Sequence, residues 1–290
     1  MDKVLDFSGV RGWHGRYRSL VVGDPAAAPD VTTDDYAAAQ EAVNARKTLD
    51  YLMPRARALG ARRVLDVGCG VGTMVRTFEQ QGFEAYGVDL PGLHRHWQRL
   101  DLSAERMFVI DPDRLRLPFA DNAIDFVYTL GVIEHIGTTN GHSDRRPDYH
   151  AVRQQWLREI FRVVRPGGAM LVAGPNRGFP VDAAHDLDTQ SSALERWLSR
   201  HVGLSVHRTW GAYFLWNHAD VRRYLAGLPH TLQPQSVEGF LSFGRAHGAL
   251  QGLANAYVRH LPRALWGTGF NPWVMALVGK PVGTGAAQHG

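Results

Sequence analysis

The 290-residue chain is most informative at first through what it has little of. It contains one cysteine, Cys69, which excludes an intrachain disulfide framework and a thiolate metal cluster. Lysine is nearly absent: Lys3, Lys47 and Lys280 are the only three, so the net charge of +4 rests on arginine. The arginines occur singly or in short pairs (Arg62-Arg63, Arg145-Arg146, Arg222-Arg223), with no basic stripe interleaved with aromatics, so nucleic acid is not an expected partner. No run of eighteen apolar residues exists, and Met1-Asp2-Lys3 opens a mixed polar segment without the apolar stretch of a signal peptide. From these absences we expect a cytoplasmic protein. There is no G-K-[ST] for a P-loop and no internal repeat. What remains is an ordinary globular composition, 44% hydrophobic and 21% charged, with ample material for a core.

One stretch organises the rest. Val64, Leu65 and Val67 form a short apolar run that reads as a buried strand. Gly68, Gly70 and Gly72 follow at alternate positions, and helical spacing begins at Thr73 with Met74, Val75 and Phe78. A strand, a glycine turn and a helix start make a nucleotide-type cradle, in which glycines let backbone N–H groups approach a ligand near the positive end of a helix. The spacing is G-x-G-x-G, preceded by Asp66, and differs from the dinucleotide pattern G-x-G-x-x-G. A second strand is expected over residues 84–88, closing in Asp89, 21 positions beyond Gly68. A carboxylate there can accept both hydroxyls of a ribose, and Leu90 follows it.

The Asp66–Thr73 stretch resembles the first motif of class I S-adenosylmethionine (SAM)-dependent methyltransferases. Further signatures follow in order. Asp121-Asn-Ala-Ile-Asp125-Phe-Val is similar to the family's segment before the fourth strand, and Glu159-Ile-Phe-Arg-Val-Val-Arg-Pro-Gly-Gly168 to its signature after that strand. The resemblance covers about residues 33–175. It implies a Rossmann-like α/β fold, a seven-stranded mostly parallel sheet with helices on both faces and an antiparallel last strand, plus a small C-terminal helical insertion. It also implies SAM as cofactor, S-adenosylhomocysteine as product and no metal. Asp66, Gly68, Cys69, Gly70 and Gly72 would hold the methionine part, and Asp89 with Leu90 the ribose. Asp113, four residues before Leu117-Pro-Phe, would meet the adenine amino group, with the Arg114 N–H beside it and Leu130 at the tip of the fourth strand. Asp111 competes with Asp113, and either can instead form an Asx turn.

Chemistry on the acceptor falls to residues at the carboxyl ends of the strands. His135, in Leu130-Gly-Val-Ile-Glu-His-Ile136, is the first general-base candidate; the alternative is that Glu134-His135 orients the following helix. His185 is the second, in a polar stretch with Asn176, Arg177 and Asp182. The aromatic run Trp210, Tyr213, Phe214 and Trp216 is a candidate acceptor wall, with core packing as the competing reading.

Elsewhere, residues 11–18 read as a surface loop. A helix is expected from Thr33 to about Met53, stopping at Pro54, and His94, His96 and Trp97 are expected at the surface. Residues 236–243 are the candidate sixth strand, and 244–265 an inserted helical lobe that can cover an acceptor, touch a membrane or form a homodimer. We therefore expect one domain over 1–290: a lid segment to about 55, a cofactor core over about 60–175 and a substrate-side lobe beyond. The expected function is methyl transfer to a small-molecule acceptor, a hydroxyl first. N-methylation, or a non-catalytic SAM-binding regulator, stands as the alternative. A nicotinamide oxidoreductase would want the other glycine spacing.

Overall fold

The computed structural model describes residues 4–8, 12–14, 16–19, 34–111, 115–139, 145–182, 192–203, 205–206, 215–243 and 246–282. In chain order the elements are β1 (Gly12–His14), β2 (Tyr17–Ser19), α1 (Asp34–Lys47), a π-helical turn (Thr48–Leu52), α2 (Met53–Ala58), β3 (Arg63–Val67), α3 (Thr73–Gln80), β4 (Glu84–Asp89), α4 (His94–Arg99), β5 (Met107–Val109), β6 (Ile124–Leu130), α5 (Tyr149–Val163) and β7 (Val164–Pro175). Then come β8 (Val181–Asp182), α6 (Ala193–Val202), β9 (Ser205–Val206), α7 (His218–Tyr224), β10 (Thr231–Pro234), α8 (Ala249–His260) and β11 (Trp273–Gly279).

One sheet runs in the order β1-β2-β5-β4-β3-β6-β7-β11-β10. Its central strands β5, β4, β3, β6 and β7 are parallel, while β11 is antiparallel to both β7 and β10. These seven strands are the expected mostly parallel sheet. Alternate side chains along each strand feed two cores, as a period of two requires. On one face Leu65, Val67, Tyr86, Val88, Met170, Val172 and Val274 meet Trp156, Ile160 and Phe161 of α5. On the other, Val64, Ala85, Leu171, Ala173 and Met275 meet Met74, Val75 and Phe78 of α3, Trp97 of α4 and Leu52. The chain leaves β3 toward β4 on one side and returns through β6 on the other, so the switch point falls at the carboxyl end of β3, where ligands of such sheets bind.

Three local expectations are corrected. In the basic segment, Gly12–His14 and Tyr17–Ser19 are paired strands, not loop: β2 pairs parallel to β5, and Tyr17 and Ser19 are buried at that edge. Its three-residue strands are too short for a period of two to register in the sequence. The helix before β3 does not stop at Pro54. A π-helical turn intervenes, with the Met53 N–H reaching back to the Thr48 carbonyl, so Pro54 falls in the first turn of α2, where its missing N–H does least harm. The sixth strand is Thr231–Pro234; residues 236–243 are irregular with a turn at 238–240, and their apolar members Val237, Phe240 and Phe243 pack into the core from there. The inserted lobe is represented by α8, between β10 and β11 in sequence.

Candidate cofactor and acceptor site

Asp66 is delivered by β3, 3% exposed, and the chain turns at once through Gly68, Gly70 and Gly72 with φ of +87°, +54° and +87°. A Cβ at Gly68 would lie 2.3 Å from Val132, and one at Gly72 2.4 Å from Leu102; Gly70 alone has open space there. The first and third glycines let the turn pack, and the middle one marks its open side.

The glycine amides are engaged within the protein. The Gly68 and Cys69 N–H groups both donate to the Val88 carbonyl (2.9 and 3.1 Å), Gly72 N–H donates to the Cys69 carbonyl (2.9 Å), and Gly70 N–H donates to Asp89 Oδ2 (2.5 Å). Parallel pairing of Val67 with Val88 is the reason, since it brings the end of β4 directly against the turn. The Gly70 carbonyl is also spent, accepting from the Trp97 indole at 2.7 Å.

What the cradle offers is acid. Asp89 is 8% exposed, and its other oxygen accepts from the Leu90 N–H at 2.6 Å. Burial pushes its carboxyl up to about 6 against the pull of those two N–H donors. Burial, and then the charge of Asp89, hold Asp66 well above the usual carboxylate range. The same burial and charges raise the Cys69 thiol, so Cys69 is neutral packing. Two buried carboxyls beside amides already in use repel a diphosphate and suit a ligand carrying positive charge and hydroxyl donors.

The other expected residues are placed as follows. Leu90 is exposed and Leu130 half-buried at the tip of β6. His135 is half-buried in the turn after β6, within electrostatic reach of Asp89. Arg153, fully buried on α5, fixes that turn by donating from Nε to the Ile136 carbonyl at 2.8 Å. Asp111 is half-buried beyond β5. Asp113, Arg114 and His185 lie outside the described residues, as do Trp210, Tyr213 and Phe214. Trp216 is 1% exposed, within the core.

Two assignments change. Trp97 and His96, expected at the surface, are buried (0% and 2% exposed); Trp97 also meets Tyr17 edge-on at 5.0 Å. The available signal was an aromatic in a short polar helix after Asp89, which has no reason to be there unless it packs. Asn176 is a clamp rather than a ligand-facing group. It is 1% exposed and donates to the Thr268 and Asn271 carbonyls (2.8 and 2.9 Å). Beside it a cleft of about 430 Å³ opens at the same sheet edge, lined in part by Arg177, Asn217, His218 and Arg222.

Fold and site define a doubly wound protein with an acidic cradle at the switch point of its sheet. A family model described as "Methyltransferase domain" matches residues 65–172, spanning the turn, Asp89 and β6. That match covers the cofactor half of the sheet and supports the resemblance to class I SAM-dependent methyltransferases. The chain is 26% identical over 219 residues to an uncharacterized methyltransferase of Mycobacteroides abscessus, covering 72% of this chain and 70% of that protein. It is 36% identical over 149 residues to a ubiquinone/menaquinone biosynthesis C-methyltransferase of Dinoroseobacter shibae (48% and 52%). It is 25% identical over 173 residues to norajmaline N-methyltransferase of Rauvolfia serpentina (58% and 52%). The chain thus spans about half the length of the latter two. Among the described residues no helix is long and apolar enough to cross a membrane, and no cluster of three metal-ligating side chains occurs.

Proposed function

We propose that this protein transfers a methyl group from SAM to a hydroxyl oxygen of a small-molecule acceptor. The observation that carries the cofactor side is the pairing of buried Asp66 and Asp89 around a turn whose glycine amides are internally bonded. That chemistry accepts ammonium, sulfonium and ribose hydroxyls and disfavours a pyrophosphate. When bound, SAM supplies an electrophilic methyl on a sulfonium centre. The chain's own residues align and exclude water: Asp89 takes the ribose hydroxyls, Asp66 and the turn hold the methionine part, and the mouth beside Gly131, which the Trp273 ring approaches, receives the acceptor. His135 removes the hydroxyl proton as the oxygen takes the methyl.

An amine acceptor is the second reading, supported by the similarity to an N-methyltransferase. Calorimetric titration with S-adenosylhomocysteine, with NADH in parallel, tests the cofactor reading. Selective micromolar binding of the former is expected; preference for NADH would overturn it.

A further inference from the structure

The cleft beyond β7 has a charge pattern that the cofactor cradle lacks. Arg177 and Arg222 both line it. Arg177 stands on rigid backbone. Its N–H donates to the Trp216 carbonyl at 2.9 Å, Asn176 before it is clamped to residues 268 and 271, and a Cβ on Gly178 after it would fall 2.6 Å from the Gly269 Cα. Its guanidinium lies 3.6 Å from Asp220. That carboxylate is already engaged, accepting the Asn217 N–H at 3.0 Å in the cap of α7, so it orients Arg177 without neutralising both arginines. Arg222, exposed on α7, has no ion-pair partner among the described residues. His218, also in the lining, is buried and held neutral, its value pushed down to about 4 first by burial, with the nearby charge of Arg222 adding to it. Among the described residues, two guanidiniums stand against one committed carboxylate, which leaves this lining positive, and the planar fork of arginine matches a carboxylate or phosphate.

Position gives this charge a use. The cleft opens at the carboxyl tip of β7, two strands from the glycine turn on β3, a lateral distance of about 10 Å at the usual strand spacing. The two sites share one sheet edge.

Resting on the methyltransferase reading, we propose that the Arg177–Arg222 cleft is an oxyanion subsite of the acceptor. The acceptor is then an elongated small molecule whose carboxylate or phosphate docks between the two arginines while its nucleophile reaches the cofactor mouth.

The test uses the full chain saturated with S-adenosylhomocysteine, titrated with inorganic phosphate or acetate at constant ionic strength and followed by the arginine Nε–Hε NMR signals. Saturable millimolar shifts of the Arg177 and Arg222 signals are expected. R222Q should weaken phosphate at least fivefold and leave S-adenosylhomocysteine affinity unchanged by calorimetry, and R177Q should weaken it likewise. Tighter binding of phosphate than acetate assigns a phosphate ester; equal or weaker binding assigns a carboxylate. Linear, non-saturating shifts, or undiminished affinity in both variants, would overturn the subsite. Failure of S-adenosylhomocysteine to bind at the outset would sink the methyltransferase reading separately.

Discussion

The indole N–H of Trp97 donates to the Gly70 carbonyl at 2.7 Å, tying α4 to the middle of the glycine turn. The cradle is thus held from two sides: Asp89 takes the Gly70 amide and Trp97 takes its carbonyl. Trp97→Phe keeps most of the ring and removes the donor. It should cost about 1–2 kcal/mol in urea unfolding, because the half-buried Gly70 carbonyl and the buried ring lose a shared bond, and it should weaken S-adenosylhomocysteine several-fold. Unchanged cofactor affinity would reduce Trp97 to packing.

Gly70 and Gly72 separate strain from crowding. Both have positive φ, but only at Gly72 would a Cβ strike neighbours, Leu102 at 2.4 Å and Trp97 at 3.2 Å. Gly70→Ala should cost about 1–2 kcal/mol from the backbone alone. Gly72→Ala should add roughly 1–3 kcal/mol of overpacking. Denaturation midpoints in the reverse order would contradict the packing described for α4.

On the proposed ribose role of Asp89, cofactor binding should depend on pH. Its folded value of about 6 lies above that of a free carboxyl, so its contribution to stability is full below the unfolded value and is lost as pH rises through about 6. The raised value corresponds to about 3 kcal/mol over that window. Ribose hydroxyls are accepted best by the ionised form, so S-adenosylhomocysteine should bind about tenfold more weakly at pH 5 than at pH 7. Asp89→Asn should flatten that profile as well as lower affinity. A flat profile in the unaltered protein would remove Asp89 from the ribose site.

His135→Ala distinguishes the acceptor classes. With a hydroxyl acceptor, turnover should fall about 10²–10⁴-fold at little cost in S-adenosylhomocysteine affinity. Full turnover would leave His135 as a neighbour of Asp89 and favour an amine that is already nucleophilic.

Asn176→Ala should destabilise by about 2–4 kcal/mol, since two carbonyls in the 268–271 loop lose their donor in a buried place. A change below 0.5 kcal/mol in urea unfolding would show that the loop is held by other means, such as the Asn271 side chain's own bond to the Trp266 carbonyl at 2.9 Å.

Much of the cofactor half was legible because local rules decide it. Alternating or continuous apolar runs mark β3, β4, β6 and β7, and Asp66, the glycines and Asp89 sit where a strand tip must turn. The edge hairpin around Tyr17, the strand Thr231–Pro234 and the passage through Pro54 were not legible, being short, polar or dependent on partners far along the chain.

The chain by itself determined a doubly wound sheet and an acid-flanked glycine turn, because side-chain period and backbone sterics act over a few residues. Only the tertiary structure decided where the turn's amides point, that Trp97 braces it, and that Arg177 and Arg222 share a cleft. Each of those depends on which distant donor, acceptor or charge the packed sheet brings within a few ångströms, and hydrogen bonds and ion pairs are set at that range.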